Sequence, residues 1–98
     1  GQEDHVSMGN AAGLKALRVL DNAERTLAIE LLAGAQAVEF LAPLRPGDGV
    51  RAVHDLVRSL SSRLIEDRSL AGDIEQVTTA IRSRAVVAAV EQEIGEIA

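Results

Sequence analysis

Apolar residues recur along the first forty positions at helical intervals. Leu14, Leu17, Leu20, Leu27, Leu31, Val38 and Leu41 are separated by threes, fours or their sums, the period of one helix face. A second set, Ala12, Ala16, Val19, Ala23, Ala28, Leu32 and Ala35, covers the neighbouring face. So wide an apolar arc implies burial on more than one side. The pattern predicts a long helix over about 4–41, roughly 55 Å at the helical rise per residue. Asp21-Asn22-Ala23-Glu24 reads as a capping box that could start a separate helix. No Gly or Pro precedes it as a stop signal, and Asp21 can pair with Arg25 one turn on, so a single helix is favoured.

Pro43, Pro46, Gly47 and Gly49 make 42–49 a loop. Val50, Val53, Leu56, Val57, Leu60 and Leu64 form a narrow stripe and predict a second helix over about 50–67. Gly72 interrupts the pattern, and Asp73, with Gln76 three residues on, is a plausible N-cap. The remaining helical region, about 70–97, lacks proline and reads equally as one helix or two. The expected fold is all-α: a long helix followed by shorter antiparallel helices, within an oligomeric helical bundle. Gly9, Gly13 and Gly34 lie inside the long helix, where each costs up to about 1 kcal/mol relative to Ala, so close approach of another helix is expected there.

Composition narrows the class. Ninety-eight residues make one small segment whose core must be aliphatic, with sixteen Ala, twelve Leu and a single aromatic, Phe40. Such a short chain buries a modest share of its surface and gains from a partner. No cysteine is present, which removes disulfides and thiolate metal sites and suits a reducing, cytoplasmic setting. The net charge is −5 and the basic residues are dispersed, which argues against nucleic acid as a partner. No apolar run approaches the length of a membrane span, and no basic leader with an apolar run opens the chain.

The densest reactive cluster is "QEDHVSMG", residues 2–9. Glu3 and Asp4 at a helix start have an ordinary role, because carboxylates stabilise the positive end of the helix dipole. His5 and His54, the two histidines, fall in different helices without metal-ligand spacing. There is no phosphate-binding glycine loop and no nucleophile elbow.

The order of those eight residues nevertheless resembles a motif of the histidine ammonia-lyase family, followed there by a long helix with an "AIELL.AAQA"-like stretch, matched here by Ala28 to Ala37. "LIEDRSL" and "DIEQVTTAIRS" are similar to later parts of the same family, so the resemblance covers nearly the whole chain. Phenylalanine and tyrosine ammonia-lyases share the long helix but differ in the opening motif. The resemblance implies elimination of ammonia from L-histidine to give trans-urocanate. It implies Glu3 as the active-site glutamate, with Gln2, Asp4 and His5 as support. It also implies a homotetramer in which long helices of four subunits form a central bundle. The family's electrophile, 4-methylideneimidazol-5-one (MIO), forms from an internal Ala-Ser-Gly, and neither that triplet nor any tyrosine occurs here. The resemblance is thus to the C-terminal portion of the enzyme, inactive alone and completed by the remainder of the lyase chain. The alternative is a stand-alone, non-catalytic oligomerisation module derived from that family.

Overall fold

In the computed structural model, which describes residues 2–97 and their side chains from Gly9 onward, the chain forms four helices and no strand among the described residues. They are α1 (Gln2–Phe40), α2 (Asp48–Leu60), α3 (Ala71–Arg82) and α4 (Ala85–Ile94). The molecule is long and flat, 65 × 37 × 18 Å, because α1 alone extends 39 residues. α3 packs along α1, and α2 packs along α4. Contacts between these two pairs are fewer.

α1 runs through Asp21 without interruption, as the absence of a stop signal requires. Asp21 and Glu24, the supposed capping box, instead face α3. Arg82 of α3 donates to Glu24 at 3.0 Å and also to Asp21, while Arg25 donates to Asp21 at 3.1 Å and to Glu75. The helix stops at Phe40 because Pro43 disfavours helical geometry at Ala42. The chain then turns on the Leu41 N–H to Val38 carbonyl bond at 3.1 Å.

The second helix departs from expectation at its C-terminal end. α2 closes at Leu60, not near Asp67, and residues 61–70 form an extended strap. The apolar stripe continues to Leu64, but tertiary bonds outcompete the helix there. Gln36 of α1 donates its side-chain amide to the Leu64 carbonyl at 3.0 Å and accepts the Leu64 N–H at 3.1 Å. That reciprocal pair satisfies a backbone unit the helix would otherwise have used. Ser61 and Ser62, at the break, are residues whose hydroxyls compete with helical bonding. Asp73 is not the N-cap of α3: Leu70 occupies that position, and the Asp73 carboxylate points back to the strap.

The C-terminal region is two helices. Arg84, at φ 64°, adopts the left-handed conformation between them, with no Gly or Pro to announce it. Gly95, at φ 89°, ends α4 where a side chain would be strained. The buried positions are small: Ala28 and Ala35 of α1, Val57 of α2, Ser61, and Val77, Thr78 and Ala80 of α3. α4 contributes none. The close approach expected at Gly9, Gly13 and Gly34 does not occur within this chain, since a Cβ at each would meet nothing within 4 Å.

Candidate functional site

Gln2, Glu3, Asp4 and His5 fall on the first turns of α1, so one helix carries the whole cluster. Their side chains lie outside the described residues. From Gly9 to Leu20 every position is exposed, including Leu14, Leu17, Val19 and Leu20, so this half of α1 is not covered by α2, α3 or α4. His54 is not brought to the cluster. It contacts Glu39, which lies about 54 Å from Glu3 along the helix axis at 1.5 Å per residue.

A set of ionisable groups surrounds Glu39. Its Oε1 accepts from His54 Nε2 at 3.0 Å and from Arg58 Nε, and its Oε2 lies 3.5 Å from Arg63 Nε. The hydrogen bond from Arg58 holds the Glu39 carboxyl below its ordinary range, and the bond from His54 adds to this against partial burial. A carboxylate kept ionised in this way is a poor proton donor near neutral pH and works as a clamp between α1 and α2. Arg63 also lies over the Phe40 ring, 5.4 Å from its centroid, a cation–π contact. Sequence reasoning missed this set, because its members are separated in the chain and no local motif links them.

A second carboxylate secures the strap. Arg68 forms a two-pronged pair with Asp73, at 2.8 and 3.1 Å, and Ser61 donates to the same carboxylate. These bonds, that of Arg68 foremost, lower the Asp73 pKa to about 2. Arg68 further donates to the Ser62 carbonyl at 2.9 Å.

Two apolar clefts flank α1. One, of about 490 Å³, is lined by Leu31, Gly34, Val38, Val50, Val53 and Val90. The other, of about 390 Å³, lies under the strap against Ile29, Leu32, Phe40, Leu64, Leu70 and Ile74. Among the described residues no group of His, Asp and Glu could hold a metal ion, and no helix is long and apolar enough to cross a membrane.

Residues 1–59 match the family model of the aromatic amino acid lyases, and the chain belongs to that family. Within it, the chain is similar to histidine ammonia-lyases. It is 47% identical to that of Natranaerobius thermophilus over 98% of this chain and 19% of the relative. It is 49% identical to that of Myxococcus xanthus over 92% of this chain and 18% of the relative. The bovine enzyme is 47% identical over 98% of this chain and 13% of the relative. The chain therefore spans about a fifth or less of the length of these curated relatives. No solved structure matches it.

Proposed function

We propose that this chain is the C-terminal portion of a histidine ammonia-lyase that converts L-histidine to trans-urocanate and ammonia, in the cytoplasm. The single observation that carries this reading is near-complete coverage of the chain by histidine ammonia-lyases at 47–49% identity. Glu3 is its catalytic contribution. A carboxylate there can accept an imidazole N–H of the substrate and exchange a proton with the reacting end. Gln2, Asp4 and His5 support it by hydrogen bonding.

The MIO electrophile does not come from these residues, since the chain holds no Ala-Ser-Gly. The 98 residues alone are inactive. The uncovered half of α1 supports assembly with the remainder of a lyase chain and with further subunits, as a homotetramer, because exposed Leu14, Leu17 and Leu20 form an apolar surface of the kind that marks interaction sites.

The direct test replaces the matching segment of the Natranaerobius thermophilus enzyme with residues 1–98. The chimera is expected to produce urocanate, followed by its absorbance, and the isolated chain to produce none. Glu3→Gln in the chimera is expected to lower kcat by about 100-fold or more, the scale of a lost acid–base group, with little change in melting temperature. A folded but inactive parent chimera would favour the non-catalytic oligomerisation module.

A further inference from the structure

We infer that α2 and α4 form one opening unit, hinged against α1, α3 and the strap, with Glu39 as its latch. Packing divides the molecule along this line, since α2 rests chiefly on α4 and α1 on α3. The polar bridges divide along the same line. Within one unit, Arg25 and Arg82 tie α1 to α3 through Glu75, Asp21 and Glu24. The strap joins this unit through Gln36–Leu64 on α1 and Ser61 and Arg68 to Asp73 on α3. Within the other, Arg51 of α2 reaches Glu93 of α4 at 3.3 Å.

One ionic cluster crosses between helices of the two units: Glu39 of α1 with His54 and Arg58 of α2. Arg58 is also the weakest-satisfied group of the cluster, because its Nη2 is buried without a hydrogen-bond partner. A buried, unpaired donor lowers the cost of opening, since water reaches it only when the unit swings away. The covalent connections between the units are non-helical. They are the proline-rich loop after α1, the extended Ser61 junction, and Arg84 in the left-handed region between α3 and α4. The buried side chains lie mainly on α1 and α3, with Val57 the sole contribution of α2 and none from α4. Fewer enclosed contacts mean a lower opening free energy for that pair. The valine-lined cleft between α1 and the α2–α4 pair is where the two units part.

Native-state hydrogen exchange of the 98-residue chain, read helix by helix, tests this. Amides of α2 and α4 are expected to exchange as one set, about tenfold or more faster than those of α3 and of residues 21–40. Glu39→Gln is expected to speed that set about tenfold further and leave α3 unchanged. Exchange of α4 alone, or one uniform rate in all four helices, would overturn the proposal in the unmodified chain, whatever the variant does. Equal acceleration of every helix by Glu39→Gln would remove the latch.

Discussion

Asp73 shows how one side chain can organise a segment that has no regular structure. Its carboxylate receives Arg68 and Ser61 and so holds the strap to the first turn of α3. The folded pKa of about 2 lies below the ordinary 3.8, so ionised Asp73 favours the folded state. That contribution is present in full above the unfolded pKa, and is lost as the pH falls from about 5 towards 2. Asp73→Asn is expected to cost on the order of 2 kcal/mol at neutral pH and to flatten the acid limb of stability, measured by urea unfolding across that range. Arg84 offers the opposite case. A non-glycine residue at φ 64° carries a conformational cost of about 1–2 kcal/mol. Arg84→Gly is expected to raise stability by about 1 kcal/mol, seen as a melting temperature several degrees higher. These two residues also mark the limit of local reading. Asp73 has the residue type and spacing of an N-cap, yet its partners come from Ser61 and Arg68, and nothing in the sequence around Arg84 reports a left-handed turn.

At the scale of elements, the second helix is the informative one. Its stripe of Val50, Val53, Val57 and Leu60 is real, and the local pattern alone would extend it past Leu64. Gln36, twenty-eight residues earlier, decides otherwise by pairing with both backbone groups of Leu64. Gln36→Ala is expected to cost about 1–2 kcal/mol, since it strands a part-buried N–H and carbonyl, and to expose the strap to limited proteolysis. Protection of the strap unchanged by this substitution would show that Asp73 holds it alone. The long helix was legible because its signals are local: apolar period, good helix formers and no breaker before Pro43. Its ion pairs with α3 were not, because Asp21 and Glu24 also satisfy a capping pattern and only the position of Arg82 chooses between the two roles.

On the scale of the whole molecule, the 65 Å length leaves the leading half of α1 with Leu14, Leu17 and Leu20 in solvent. In the proposed enzyme this surface lies inside an assembly. Leu14→Glu with Leu17→Glu is expected to weaken self-association, followed by sedimentation velocity, while changing the stability of the monomer by about 0.5 kcal/mol or less, as for other exposed positions. Association unaffected by both charges would place the interface elsewhere. The helical class, the continuity of α1, the Pro-Gly loop and the family motif were determined by the sequence itself, because each rests on periodicity, backbone stereochemistry or the order of neighbouring residues. The closure of α2 at Leu60, the turn at Arg84, the Glu39 clamp and the division into two helix pairs were decided by tertiary structure alone. Each depends on groups far apart in the chain, whose meeting no local pattern encodes. "QEDHVSMG" stands on the sequence side of that line, because its resemblance to the family lies in the order of neighbouring residues.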